Sequence, residues 1–182
     1  SFHFATRQII FTIPALCVML AVSFLNTRQI RRLALGMLCV MLVMMVAVLY
    51  VGVEVKGARR WLSLAGLSIQ PSEFLKPAFV VICAWLFAEH KRQPEIPGNL
   101  FAMILLGLVL ALLLAQPDMG QTLLVVGTWG VMFFMAGLSW IWIVALGGLG
   151  VVGLFAAYEI FPHVAGRIDR FLTGEGDTFQ VD

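Results

Sequence analysis

The residues in this chain able to do chemistry are few and cluster in three short stretches. Arg59 and Arg60 are adjacent, inside Lys56-Gly57-Ala58-Arg59-Arg60-Trp61. Guanidinium forks match phosphate oxygens, so the pair suits an anionic ligand. Trp61 offers an apolar body and a single donor, which suits a membrane interface. The same residues would equally anchor a loop against lipid headgroups. The second stretch is Gln70-Pro71-Ser72-Glu73-Phe74-Leu75-Lys76. Pro71 fits the first turn of a helix, Glu73 then lies where the helix dipole favours an anion, and Lys76 shares its face. Either Glu73 offsets the dipole beside a snorkelling Lys76, or the two form an ion pair lining a polar cavity. Charges within spans usually face a bundle interior or water, which favours the cavity. The third stretch is Gln116-Pro117-Asp118. Asp118 is either the N-cap of the next helix or a third member of a cluster with Glu73 and Lys76.

Other signals carry less. Cys17, Cys39 and Cys83 each sit in an apolar run without paired spacing, so they read as packing residues. His3, His90 and His163 are far apart and lack partners at metal-ligand spacing. Gly148-Leu149-Gly150-Val151-Val152-Gly153 matches GxGxxG, but it lies within an apolar run rather than between a strand and a helix. Its glycines suit close helix packing instead. Met37, Met41, Met44 and Met45 read as lipid-facing or packing residues.

The elements that must position these residues follow from hydropathy. The chain is 61% hydrophobic and 12% charged over 182 residues, with net charge +2. A soluble domain is nearer half apolar and a quarter charged, and the small net charge points to no nucleic-acid partner. The uncharged runs 8–27, 33–53, 96–117 and 119–158 compare with the roughly 20 residues a bilayer-spanning helix needs. The last is long enough for two helices, with a turn expected at Gly137-Leu138-Ser139. The expected fold is all-α: a polytopic membrane bundle of about six helices, near 9–25, 33–53, 72–89, 99–115, 120–136 and 139–160. Parity then places 1–8, 54–71, 116–119 and 161–182 on one face, and 26–32, 90–98 and the turn near 137 on the other. The positive-inside comparison is five cations against six. The tight Arg28/Arg31/Arg32 cluster favours the second face as cytoplasmic.

The three stretches, in this order and with the tail Arg167 to Asp182, resemble the SEDS family of bacterial cell-wall proteins, which includes FtsW and RodA. The resemblance covers the whole chain. Lys56-Gly57-Ala58-Arg59-Arg60-Trp61 and Asp177-Thr178-Phe179-Gln180-Val181-Asp182 look more like the family's cell-division member than its elongation member.

The resemblance implies a peptidoglycan glycosyltransferase that polymerises lipid II, a disaccharide-pentapeptide on undecaprenyl diphosphate, in the bacterial inner membrane at the division septum. It implies a class B penicillin-binding protein and other division proteins as partners, alongside membrane lipid. The polar face would be extracytoplasmic. Residues 1–182 would form one integral membrane domain, partial and inactive alone. The first span, the rest of the large extracytoplasmic loop and the last spans would be missing. The carboxylate usually taken as catalytic would lie beyond Asp182. Within the chain, Arg59, Arg60 and Lys76 are the expected diphosphate partners, directly or through a divalent metal ion; no residue is expected to hold a metal of its own. Trp61 and Gln70 complete the expected substrate contacts. Glu73, Lys76 and Asp118 are the expected supporting catalytic residues. Two other functions are kept as alternatives: a flippase for the same lipid, which the intramembrane charges also fit, and a scaffold whose partners supply the activity.

Overall fold

The computed structural model describes residues 2–55, 57–137, 139–162, 165–166 and 169. Lys56, Leu138, His163 and most of the tail from Arg167 to Asp182 lie outside the described residues, as do the readings that rest on them.

The chain forms α1 (Phe2–Ser23), α2 (Thr27–Val51), β1 (Val53–Val55), β2 (Ala58–Leu64), β3 (Leu67–Ile69), α3 (Pro71–Arg92), α4 (Gly98–Ala115), α5 (Met119–Met135) and α6 (Trp140–Ile160). Among the described residues, five of the six helices are long and apolar enough to cross a membrane, and α5 is an apolar helix of 17 residues. The six-helix polytopic membrane fold is therefore as the hydropathy requires. Two contact units divide it: residues 1–136, and residues from Gly137 onward. In the second, α6 buries none of its residues, as expected of a helix whose apolar surface can face lipid on all sides.

Within the first unit, α3 is central and packs against α2, α4, α5 and β2. Met45 and Val48 of α2, Leu75, Phe79 and Cys83 of α3, and Ala102 and Val109 of α4 are all but fully buried. Trp129 and Phe133 of α5 stack at 4.6 Å, and the Phe87 ring of α3 meets Trp129 edge-on at 5.6 Å. Such aromatic pairs add about 1 kcal/mol beyond their buried area, which fixes α5 against α3 below the polar end of both.

Two boundaries differ from the hydropathy reading. Residues 26–32, expected as a loop, are mostly helix: α2 starts at Thr27, so Arg28, Arg31 and Arg32 occupy its first two turns. The Gln29 side chain accepts the Asn26 backbone N–H at 2.9 Å, which stabilises this early start. A helix need not stop where the apolar slab stops, and charge counting locates only the slab. The second difference is a three-stranded antiparallel meander, order β1-β2-β3, inside the polar stretch 54–71. Gly57 takes φ +78° between β1 and β2. Ala65 and Gly66, at φ +49° and +81°, form the two-residue turn between β2 and β3, the mirror-type turn whose twist matches antiparallel strands.

Candidate functional site

The site is built where β2 meets the N-terminal ends of α3 and α5. Residues in a strand alternate between faces, and β2 alternates accordingly. Ala58 and Leu62 are buried and Arg60 is half-buried, while Arg59 and Trp61 are exposed. The adjacent arginines therefore do not act as one fork. Arg60 points inward, and its Nη1 lies 3.4 Å from Asp118 Oδ2. Arg59 points outward to its cross-strand neighbour Glu54, Nε to Oε2 3.8 Å.

Asp118 caps a helix and also pairs with a cation, but that cation is Arg60 and not Lys76. Asp118 is the N-cap of α5, its Oδ1 accepting the Gln121 backbone N–H at 3.3 Å, and its Oδ2 faces Arg60. Its side chain is only 7% exposed, so the ion pair sits inside the fold rather than on its rim. The geometry of the turn explains this depth. The helices α4 and α5 have 18 and 17 residues, about 27 and 26 Å long, shorter than a hydrocarbon core of about 30 Å. Their connection is recessed, with Gln116 and Asp118 both buried. Gln116 donates through Nε2 to the Met45 carbonyl of α2 at 3.4 Å, and Asp118 N–H donates to Leu113 O at 3.0 Å. Buried polar groups need such partners.

On α3, Pro71 occupies the first turn and Glu73 and Lys76 follow on one face. Glu73 Oε2 lies 2.8 Å from Lys76 Nζ. Its other oxygen, Oε1, accepts the Gln121 side-chain amide of α5. Pro77 has no N–H, so it cannot bond the Glu73 carbonyl one turn back, and the polar end of α3 is correspondingly open. Gln70, half-buried, is the N-cap residue of α3; its carbonyl accepts the Glu73 N–H at 3.1 Å and its side chain makes no cap bond.

Gln121 is the residue that sequence reasoning passed over. Its backbone N–H holds Asp118 and its side chain holds Glu73, so one residue joins the two carboxylates. The result is a continuous chain, Arg60–Asp118–Gln121–Glu73–Lys76, drawn from β2, α5 and α3. The available signal was a polar residue three positions after a candidate N-cap, in an otherwise apolar helix. Ser72, beside Glu73, is buried with no partner for its hydroxyl among the described residues.

Of the expected residues, Arg60, Glu73, Lys76 and Asp118 are thus brought together. Arg59 and Trp61 stand on the opposite face of β2, and Gln70 flanks the start of α3. The two ion pairs make the cluster formally neutral. Among the described residues no three His, Cys, Asp or Glu side chains converge to hold a metal ion. Glu73 and Asp118 each face a cation instead.

Comparison with known proteins places this arrangement in a family. The FtsW/RodA/SpoVE family profile, described as cell cycle protein, matches residues 1–181. A probable peptidoglycan glycosyltransferase FtsW from Caulobacter vibrioides is 42% identical over 181 residues, covering 99% of this chain and 46% of that protein. Stage V sporulation protein E of Bacillus subtilis is 31% identical over 183 residues, covering 94% of this chain and 48% of its own. Among solved structures, a chain from work on structural coordination of polymerization and crosslinking by a peptidoglycan synthase complex superposes with TM-score 0.76. It is 29% identical and covers 94% of this chain and 52% of that one. The Thermus thermophilus rod shape determining protein RodA superposes with TM-score 0.63 at 32% identity, covering 77% of this chain and 46% of that one. The chain spans about half the length of the relatives it matches.

Proposed function

The chain belongs to the FtsW/RodA/SpoVE family of cell cycle proteins, and from that membership we propose that it is part of a peptidoglycan glycosyltransferase of bacterial cell division. Its substrate is lipid II, and its product is a glycan strand on undecaprenyl diphosphate. The observation that carries the proposal is the linked pair of ion pairs, Arg60–Asp118 and Lys76–Glu73, at one end of a membrane bundle.

Glycosyl transfer from a lipid diphosphate makes one C–O bond and breaks another. The acceptor hydroxyl attacks the anomeric carbon and passes its proton to a general base, which none of these ion-paired residues supplies, and the diphosphate leaves with the bonding electron pair. Negative charge grows on the diphosphate, so fixed cations there lower the barrier. Lys76 Nζ is a mobile point charge on a flexible stem, held by Glu73 until a stronger anion arrives. Arg60 is anchored by Asp118 and offers its remaining N–H donors. Neutral pairs cost less to keep at a membrane face than bare cations, and the arriving diphosphate competes with the carboxylates for them. Glu73 and Asp118 are positioning residues in this scheme, and Arg59 and Trp61, on the outer face of β2, meet the headgroup side of the substrate. The polyprenyl chain stays in lipid against apolar helix faces. The protein works at the septum with a class B penicillin-binding protein and other division proteins, the polar end facing out of the cell. The relative seen in a peptidoglycan synthase complex supports a partnered enzyme.

The test is reconstitution of the full-length protein with its partner in liposomes carrying labelled lipid II, the partner's own active site disabled. Glycan strands made by the wild type and lost in Lys76→Ala support the transferase. Lipid II crossing the bilayer without any glycan product overturns it in favour of transport.

A further inference from the structure

A second charged region lies at the other end of α2 and α3, away from the ion-pair chain. Arg31 guanidinium sits 5.5 Å over the Trp85 ring, which ties the start of α2 to the C-terminal half of α3. From that contact Arg28 is nearly one turn further out on α2, about 4.5 Å along the axis, and Lys91 and Arg92 are about 9 and 10.5 Å further out on α3. The helices run in opposite directions, so all of these charges collect at one end, with Arg32 beside them. Among the described residues none of the five has a carboxylate within ion-pair distance, although Glu89 and Glu95 are close in sequence. An open cavity of about 450 Å³ lies here, lined by Asn26, Thr27, Arg28, Gln29 and Arg31. Close in sequence, Phe24 is 85% exposed, and Leu35, one turn after Arg31, is half exposed.

We propose that this end of α2 and α3 binds the phosphodiester headgroup of an anionic phospholipid, with Arg31 as its fixed fork. Unpaired cations at the end of membrane helices attract anionic lipid, at about fivefold in affinity for each charge near the surface. A bias of positive charge toward one side of a membrane accounts for the count of arginines. It does not account for one of them lying over an indole ring, a contact that holds the guanidinium in place while its N–H donors remain available to phosphate. Phe24, two residues before Asn26, and Leu35, one turn after Arg31 on the same face of α2, give acyl chains exposed apolar surface on this side of the helix. A phospholipid fits both features; free inorganic phosphate fits only the first. The lipid site and the reaction proposed above stand on different residues and do not depend on each other.

Native mass spectrometry of the full-length protein, released from nanodiscs of phosphatidylcholine with about 30% phosphatidylglycerol, reads the bound lipid directly. The wild type retains phosphatidylglycerol over phosphatidylcholine. Arg31→Gln lowers that retention about fivefold and Arg28→Gln by a similar factor, while Arg7→Gln, near the far end of α1, leaves it unchanged. Arg31→Lys keeps the charge but loses the planar fork, and its retention falls too. Equal retention by Arg31→Lys and wild type overturns the built site and leaves only diffuse attraction. Displacement of the lipid by millimolar inorganic phosphate overturns the assignment to phospholipid. Thermal unfolding of each variant in phosphatidylcholine alone, matching the wild type, confirms that the fold is intact; a variant that fails this is replaced by Arg32→Gln, for which retention equal to wild type counts against the site.

Discussion

Arg60 Nη1 and Asp118 Oδ2 are 3.4 Å apart across 58 positions of chain. This contact joins a β-strand on the membrane face to the recessed cap of α5. It divides the two adjacent arginines into different jobs. Arg60→Ala leaves the nearly buried Asp118 carboxylate without its cation, and such losses cost about 3 kcal/mol in a fully buried pair. With Arg60 about a quarter exposed, the expected loss is nearer 2 kcal/mol after allowing for solvent screening. Arg59→Ala breaks an exposed 3.8 Å pair and should cost less than about 1 kcal/mol. Chemical denaturation of the full-length protein in micelles checks both; equal losses would contradict the division of labour.

Asp118 can be dissected by size and charge. Asn caps a helix about as well as Asp, so Asp118→Asn should keep α5 while losing the pair to Arg60. Asp118→Ala loses both and should be less stable than Asp118→Asn by about 1 kcal/mol. The same denaturation experiment reads the difference. No difference would mean that the Gln121 N–H is not held by this cap.

Gln121 joins Asp118 to Glu73, and its substitution tests whether the two pairs act together. Gln121→Ala should leave the membrane bundle folded and lower glycan synthesis about tenfold, less than the roughly hundredfold that a 1 Å misplacement of a reacting group can cost. Gln121→Glu sets a like charge against Glu73 and should be worse. Rates measured over a range of lipid II concentrations should show the loss in kcat rather than KM, since Gln121 touches the carboxylates and not the lipid.

The chain path into β2 sets where Arg60 points. Gly52 ends α2, and a Cβ there would meet Val48 O at 2.3 Å. Gly66 has φ +81° in the β2–β3 turn, where a side chain costs about 1 kcal/mol. Gly52→Ala should therefore disturb the meander more than Gly66→Ala does. Protease susceptibility of residues 53–69 in the folded protein provides the readout, with Gly52→Ala cut faster.

Much of this was readable from residue types. Apolar runs located every helix because lipid demands length and hydropathy, and parity brought the polar loop, the start of α3 and Asp118 to one face. The pairing of Glu73 with Lys76 followed from helical spacing alone. What spacing could not supply was the strand. Without β2, Arg59 and Arg60 look like a single clamp; pleating turns them to opposite faces. The role of Gln121 was hidden for a related reason, since its partner Glu73 is 48 positions away and only the packing of α5 on α3 brings them together. The early start of α2 was missed because arginines at a helix end look like loop when only the apolar slab is counted.

The central claim is that Lys76, held by Glu73, stabilises the departing diphosphate. Its most direct measurement is the rate of lipid II polymerisation by the purified full-length protein with its partner, comparing wild type with Lys76→Ala at matched folding and partner binding. A fall of about 100-fold is the predicted result. An unchanged rate would contradict the account.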